Sequence, residues 1–186
     1  GRYSDLWFRI DGKPLIMAYP EALPEKGICE TDTKILDEIR AFFAFRPGQP
    51  LYAGGPVRND QWGWLEVYPQ NKYCVREDGS CEMVTVGVGQ NANKDRICTH
   101  FNDKDTFGRS YTFKHGFDLL DKESYKFGYN VQEQWDRAID LDPDIVFITG
   151  WNEWQMGRYH EPWLSDANCT QVAMVDQYDR EHSRDI

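Results

Sequence analysis

The most constraining feature of this chain is segment 144–154, where an apolar run passes directly into polar and aromatic residues. The four residues 145–148 are all apolar, which suits a parallel strand buried on both faces better than a surface strand of alternating polarity. Asn152 and Glu153 follow between two tryptophans. Active sites of parallel α/β folds form at the carboxyl ends of strands, so the segment predicts a strand that delivers Glu153 to a functional site. A structural glutamate, salt-bridged at a strand end, is the alternative.

Length and composition predict one packed domain. The chain has 186 residues, of which 40% are hydrophobic, and this is enough for a core. A closed eight-stranded α/β barrel usually needs about 250 residues. We therefore expect residues 1–186 to form one partial barrel domain of a longer protein, which another chain or segment completes.

Charge and hydropathy restrict the partners. The formal net charge is −10, without a cluster of Lys or Arg, whereas nucleic acids and anionic membranes need a basic surface. No run approaches the roughly 20 apolar residues that span a bilayer. These features predict a neutral or cationic ligand, with no nucleic acid and no membrane as partner.

Helices and strands alternate along the chain. A helix is predicted after a cap at Thr31 or Asp32, and a second one after a cap at Asn130, which ends before Pro143. Strands are predicted at 6–10 and 14–19 around an Asp-Gly turn, at 62–68, at 83–88 and at 145–148. In the strand at 62–68, alternation would place Trp64 and Glu66 on one face. Helix, short loop and buried strand in this order favour a (β/α)₈ barrel of the TIM type, incomplete in this chain.

Two further features concern a loop and the cysteines. Residues 91–127 are polar but contain several aromatic residues, which favours a loop that covers substrate over a disordered linker. Cys74 and Cys81 flank an Asp-Gly turn, so a hairpin would bring them close enough for a disulfide. Such a bond predicts a secreted or periplasmic protein, and two free thiols in a cytosolic hairpin are the alternative.

The residues 149–162 resemble the catalytic signature of glycoside hydrolase family 99, which runs Asn-Glu-Trp-His-Glu-Gly and then Glu-Pro. The segment is also similar, more loosely, to the Trp-Asn-Asp/Glu segment of family 71, and Gly12-Lys13-Pro14 with the strand after it resembles a further feature of that group. The resemblance implies a (β/α)₈ barrel that acts on α-linked glycans, namely mannans in family 99 and α-1,3-glucan in family 71. The matching positions are Asn152, Glu153, Trp154, Gly157, Glu161 and Pro162.

This sequence departs from the family 99 pattern at two positions. Gln155 stands in place of His, and Met156 stands where the pattern has its second Glu. In the family these two glutamates share the acid and base roles. Because Met cannot transfer a proton, the resemblance implies a relative rather than a member of the family.

Cleavage of a glycosidic bond needs two carboxylates that face each other across the bond. With Glu153 as one of them, Glu66 is the first choice for the other, and Asp60 and Glu161 are weaker candidates. Burial near Trp64 would raise the pKa of Glu66 and suit it to the acid role. The alternative for Glu66 is an ordinary strand residue paired with Lys or Arg.

Aromatic and polar side chains complete the predicted cleft. Stacking faces are expected from Trp62, Trp64, Trp151, Trp154 and Tyr159. Hydrogen bonds to sugar hydroxyls are expected from Gln90, Asn91, Asn152, Arg158, His160 and Glu161. For each tryptophan taken singly, burial in the core is an equally good interpretation.

The sequence therefore predicts a glycoside hydrolase that needs no cofactor and no metal, with a carbohydrate as substrate. A metal site built from His160, Glu161 and Asp166 is compatible with composition, but it is the weaker hypothesis. A non-catalytic carbohydrate-binding relative is the alternative function, and Met156 is its motivation.

Overall fold

The computed structural model describes most of the first 150 residues and two short strands beyond them. The described residues are 3–23, 32–49, 54–87, 92–97, 111–116 and 127–150, together with the backbone of 157–159 and 173–175. Within them lie two α-helices, α1 (Thr33–Phe42) and α2 (Tyr129–Leu141). The strands are β1 (Arg9–Ile10), β2 (Lys13–Ile16), β3 (Ala44–Phe45), β4 (Gly48–Gln49), β5 (Trp62–Gly63), β6 (Tyr73–Val75), β7 (Cys81–Gly87), β8 (Ile145–Thr149), β9 (Gly157–Tyr159) and β10 (Ala173–Val175).

The first helix connects two parallel strands. β1 and β2 form a hairpin whose turn residues Asp11 and Gly12 both have positive φ, 50° and 77°, as a type I′ turn requires. β2 then pairs in parallel with β3, and α1 lies between them in the chain. The carboxylate of Asp32 accepts a hydrogen bond of 2.9 Å from the backbone N–H of Lys34. This confirms the predicted hairpin turn and the helix cap at Asp32.

The second helix also connects two parallel strands. β6 and β7 form an antiparallel hairpin, and β7 pairs in parallel with β8 from Met83 opposite Ile145 to Gly87 opposite Thr149. Helix α2 lies between β7 and β8 in the chain and ends at a left-handed Asp142, directly before Pro143. The predicted helix end and the strand after it are confirmed, but the prediction that this strand is buried on both faces is wrong. Residues 145–147 are half-buried and Ile148 is 40% exposed, because β8 pairs with β7 alone.

The predicted incomplete (β/α)₈ barrel is wrong for the described residues. They form two helices and small sheets of two or three strands, in which parallel and antiparallel pairs are mixed. A barrel of this type is a closed ring of parallel strands, each followed by a helix. Here β1, β6 and β10 pair antiparallel with their neighbours. The helix–loop–strand order misled the prediction because a small mixed α/β arrangement contains the same local unit.

Two hydrophobic clusters pack around the sheet β6–β7–β8, whose central strand β7 is buried at every residue. The first cluster contains Trp62, Tyr73, Cys74 and Met83, with Leu15 and Phe147 packed against it. The second contains Cys81, Val84, Val86 and Ala138, with Trp135 of α2 packed against it. Each large apolar side chain buried in this way stabilises the fold by about 1.5–3 kcal/mol. The clusters fix β7 and β8 as the rigid centre of the described structure.

The predicted disulfide between Cys74 and Cys81 is not formed, and both cysteines are free. The hairpin itself is present, but its register places Val75 opposite Cys81, which leaves Cys74 opposite Glu82. Cys74 consequently packs in the first cluster and Cys81 in the second. Burial raises the pKa of the Cys74 thiol to about 12, so this thiol stays protonated at neutral pH. A secreted or periplasmic location remains a prediction without this support.

Two further local predictions fail. The strand expected at 62–68 is limited to β5, and the chain bends after Gly63, so Trp64 is exposed and Glu66 is buried instead of sharing a face. Helix α2 begins after Gly128 rather than at an Asn130 cap, and the Asn130 amide donates a hydrogen bond of 3.0 Å to the carbonyl of Tyr111. In both places a tertiary hydrogen bond outweighs the local pattern.

The described parts of the long loop consist of turns. Residues 92–97 contain a turn that Asn93 organises, and 111–116 contain a turn closed by a bridge between Thr112 and Gly116. The covering role predicted for 91–127 stays a prediction, since most of this segment lies outside the described residues. Neither of the two described helices is long and apolar enough to cross a membrane.

Candidate functional site

The parallel pair β7–β8 creates an edge at which two candidate segments leave the sheet together. Gly87 and Thr149, the last residues of the two strands, lie side by side in the register. Gln90 and Asn91 follow Gly87 closely in the sequence, and segment 151–154 follows Thr149. The residues in both segments, including Glu153, lie outside the described residues. The two strands that precede them share one carboxyl edge.

Helix α2 is hydrogen-bonded to this edge of the sheet. The backbone N–H of Gly87 donates a 2.7 Å hydrogen bond to the buried side chain of Gln134. Gln134 in turn donates to the side chain of Asn130 at 3.2 Å, and its backbone carbonyl accepts from Gln70 at 2.9 Å. These bonds hold the end of β7 at a fixed distance from α2.

The Gln134 bond leads to a first prediction. In Gln134→Leu, the buried N–H of Gly87 loses its acceptor, and the unfolding free energy should fall by about 1–3 kcal/mol. Chemical denaturation measures this change. The control is Gln132→Leu on the same helix, because Gln132 is exposed and its replacement should change stability by about 0.5 kcal/mol or less. Equal effects of both variants would contradict the role of Gln134.

Strand β5 packs against β7 without belonging to its sheet. The indole N–H of Trp62 donates to the carboxylate of Glu82 at 2.7 Å, and the carbonyl of Gly63 accepts from the hydroxyl of Thr85 at 3.1 Å. The segment that contains Trp64 and Glu66 follows β5 directly in the chain.

Trp62 belongs to a buried polar network and not to an exposed stacking surface. Its ring is 3% exposed. The carboxylate of Glu82 accepts two hydrogen bonds of 2.7 Å from Arg46 in addition to the bond from Trp62. Burial alone would raise the pKa of Glu82, but the bonds from Arg46 and Trp62 outweigh it and the pKa is lowered. The hydrogen bond with Glu82 likewise raises the pKa of Arg46, so the pair stays ionised.

Trp64 is placed as a stacking residue would be. Its side chain is 44% exposed, and the edge of its ring contacts Phe147 of β8 at a centroid distance of 5.8 Å. Phe147 also contacts Trp62 at 5.8 Å. A half-buried ring in the middle of β8 therefore supports an exposed indole, and this indole can offer one face to a ligand.

Glu66 is a buried carboxyl that is satisfied by neighbouring side chains. It is 0% exposed. It accepts hydrogen bonds from the Tyr73 hydroxyl and from the side-chain and backbone nitrogens of Asn71, the latter two at 2.8 and 3.4 Å. Burial raises its pKa, and the bonds from Tyr73 and Asn71 lower it by less, so the net shift is upward. The direction of the shift agrees with the prediction; the hydrogen-bond partners of the carboxyl are Tyr73 and Asn71, and the charge of Arg96 lowers its pKa by a smaller amount.

The contact between Tyr73 and Gly63 leads to a second prediction. A Cβ atom on Gly63 would lie 2.7 Å from three atoms at the hydroxyl end of the Tyr73 ring. Tyr73 is buried and bound to Glu66, so Gly63→Ala should lower the unfolding free energy by about 1–3 kcal/mol. Gly48→Ala in the paired strand β4 is the matched control, since a Cβ there meets no atom within 4 Å. Equal melting temperatures of the two variants would contradict the close packing at Gly63.

The side chains of most remaining predicted site residues lie outside the described part of the structure. Arg158 and Tyr159 belong to β9, which pairs antiparallel with β10, and the structure describes the backbone alone there. His160 and Glu161 lie outside the described residues, as do Trp151, Asn152 and Trp154. Asp60 pairs at the surface with Arg58. Within the described part of the chain, no group of three acidic, His or Cys side chains could hold a metal ion.

Sequence reasoning missed three residues that shape this region. Arg46 and Glu82 form the buried ion pair, although they are 36 residues apart in the chain, and no local pattern marks them. Thr149 is 3% exposed, and its hydroxyl has no hydrogen-bond partner among the described residues. A buried hydroxyl is usually hydrogen-bonded, so this group is a polar feature at the end of β8 that the described residues do not satisfy. For Thr149 the sequence did offer a signal, namely a polar residue at the end of an apolar run.

The chain matches no protein-family model, no curated protein and no solved structure. The resemblance to glycoside hydrolase family 99 therefore depends on the residues of segment 149–162 and on Gly12-Lys13-Pro14 with the strand after it.

Proposed function

We propose that this protein is a glycoside hydrolase that cleaves an α-linked glycan, with Glu153 as one of its two catalytic carboxylates. The observation that carries the proposal is the common carboxyl edge of β7 and β8. The register of Gly87 with Thr149 starts segments 88–91 and 151–154 from neighbouring points. In parallel α/β units this edge is where catalytic side chains gather.

Two features of the described residues support a sugar as ligand. Trp64 offers a half-exposed indole that Phe147 supports from β8. The hydroxyl of Thr149, which has no partner among the described residues, lies one residue before the left-handed Gly150. Aromatic faces and a few placed polar groups are common components of binding sites.

Glu66 is proposed as the acid partner of Glu153. Its raised pKa favours the protonated carboxyl that a general acid needs. Its complete burial means that substrate reaches this carboxyl when Asn71 or its other neighbours move aside. The upward direction of the pKa shift supports the acid role, and contact with substrate requires a local rearrangement.

The direct test is release of reducing ends from α-1,3-linked glucan and from α-linked mannan by the full chain. The proposal expects turnover of at least one of the two polymers and no dependence on added metal ions. Absence of turnover with both polymers, in a chain that is folded by circular dichroism, would contradict hydrolysis of these substrate classes.

A non-catalytic carbohydrate-binding protein is the second candidate. Met156 replaces the second glutamate of the related signature, and Glu66 has both of its carboxylate oxygens engaged within the protein. Binding of the glycan without turnover, with equal affinity for the parent and for Glu153→Gln, would select this function.

A further inference from the structure

A groove of about 230 Å³ lies beside α2, apart from the residues discussed above. One side is formed by a face of the helix that includes Tyr129, Gln132, Asp136 and Asp140. Tyr68 and the turn 111–116 form the other sides. The volume is below the roughly 300–1,000 Å³ of pockets that enclose drug-sized ligands. It therefore suits a small unit of a ligand that continues outside the groove.

Buried polar contacts hold the walls of the groove. The carboxylate of Glu133 accepts hydrogen bonds from the backbone nitrogens of Phe113 and Lys114 at 2.9 and 2.8 Å. The Asn130 amide donates to the carbonyl of Tyr111 at 3.0 Å. Glu133 and Asn130 are both buried. The helix thus fixes the turn over its own polar face, so the groove does not depend on ligand for its shape.

Aromatic rings and polar groups of both kinds line the groove. Tyr129 contributes a ring that packs against Phe127 at 5.8 Å. The side chain of Asp136 accepts from Gln132 at 2.8 Å, and Asp140 lies one turn further along the same face. Arg137 is oriented by the bond from its Nε to the carbonyl of Gln70 at 3.1 Å. Its terminal nitrogens have no hydrogen bond within the described part of the chain.

The charges of the groove disfavour an anionic ligand. Carboxylates from Glu133, Asp136 and Asp140 accompany the cationic side chains of Lys114 and Arg137. There is consequently no positive excess to attract a phosphate or another anion. Donors and acceptors that alternate beside a tyrosine ring suit a polyhydroxylated ring.

The groove lies along the face of α2 opposite to the one that packs on the sheet. Tyr129 lies at the start of α2, five residues before Gln134, and Gln134 binds Gly87 at the end of β7 from the other side of the helix. Asp140 lies eleven residues after Tyr129, which is about 16 Å at the rise of an α-helix. The groove therefore follows α2 from the helix end that lies on the side of Gly87.

We propose that this groove is a second carbohydrate-binding subsite, which takes a neutral sugar unit of the same glycan at a distance from the cleavage point. The inference deepens the proposed function and rests on it for the choice of ligand. The tyrosine rings provide apolar faces, and Asp136, Asp140 and Arg137 bind hydroxyl groups. Chains of several sugar units are therefore bound better than short ones.

The test measures binding of α-1,3-linked glucose oligosaccharides and α-linked mannose oligosaccharides of two and of six units. Calorimetry is done on the full chain carrying Glu153→Gln, in which turnover is removed. In this background, Tyr129→Ala and the pair Asp136→Asn with Asp140→Asn should each weaken binding of a six-unit chain about threefold to tenfold. Binding of the two-unit chain should stay unchanged.

Glu77→Gln is the matched control, because Glu77 is an exposed carboxylate of the β6–β7 turn. It should leave the affinities unchanged, and thermal unfolding shows that the groove variants are folded. Unchanged affinity of the six-unit chain in the groove variants, or no binding of either series, overturns the subsite. Turnover by the parent with unchanged affinities would retain the hydrolase and remove the subsite. Weakened binding without turnover by the parent would retain the subsite and remove the hydrolase.

Discussion

Glu82→Gln should lower the unfolding free energy by about 3–5 kcal/mol at neutral pH, as expected when one partner of a buried ion pair is removed. Glu82 is 8% exposed and accepts two hydrogen bonds from Arg46 and one from Trp62. In the variant, Trp62 can still donate to the amide oxygen, but Arg46 is left as a charge without a counterion. Equilibrium denaturation with urea measures the loss.

Two comparisons separate this effect from a general loss of charge. Asp144→Asn removes one partner of the exposed pair between Arg76 and Asp144, whose side chains are 44% and 55% exposed, and should cost about 1 kcal/mol or less. The double variant Arg46→Met with Glu82→Gln removes both charges and should recover a large part of the loss. A loss for Glu82→Gln as small as that for Asp144→Asn would contradict the buried network.

The loss should also depend on pH. The folded-state pKa of Glu82 is lowered from its usual value of 4.5. Its charge therefore stabilises the fold above the unfolded-state pKa, and this stabilisation disappears as pH falls through the lower folded-state pKa. The difference between parent and Glu82→Gln should be fully developed near neutral pH and shrink below about pH 4.5. Glu66 works in the opposite sense, since its raised pKa makes the charged form unfavourable as pH rises.

Glu153→Gln should reduce the rate of reducing-end release by about 10²- to 10⁴-fold. The amide keeps the size of the side chain but can neither donate a proton as an acid nor act as a carboxylate nucleophile. The effect should appear in kcat, because the carboxylate acts mainly in the transition state. Initial rates on α-1,3-linked glucan and α-linked mannan measure it.

The control for this prediction is Glu77→Gln, an equally conservative change of an exposed carboxylate outside the site. It should keep the rate of the parent. Glu66→Gln adds a second comparison, and loss of activity there together with a lost alkaline limb of the pH profile would assign Glu66 the acid role. Equal rates for the parent and Glu153→Gln would end the case for Glu153.

Local features of the fold could be predicted from the sequence where short-range chemistry decides them. The Asp11-Gly12 turn, the Asp32 cap and the end of α2 before Pro143 each depend on neighbouring residues, and the structure has all three. The apolar run at the start of β8 likewise marks a strand paired with a buried partner.

Sheet topology and the buried polar contacts depend on residues distant in the chain. The antiparallel pairing of β6 with β7 separates the two cysteines by one residue of register, which the Cys spacing does not reveal. Glu66 turns inward because Tyr73 and Asn71 satisfy its carboxyl, and this bends a segment whose pattern favours a continuous strand. The ion pair of Arg46 with Glu82 joins residues that are 36 positions apart, so no local sequence pattern predicts it.

Paired catalysis by Glu153 and Glu66 is tested most directly by the distance between their carboxyl groups in an experimental structure with a bound oligosaccharide. The account predicts a separation of roughly 5–9.5 Å across the scissile bond, with Glu153 facing the sugar at the carboxyl edge of β8. A separation well beyond about 10 Å, or a Glu153 carboxylate turned inward onto a cationic side chain, would contradict it.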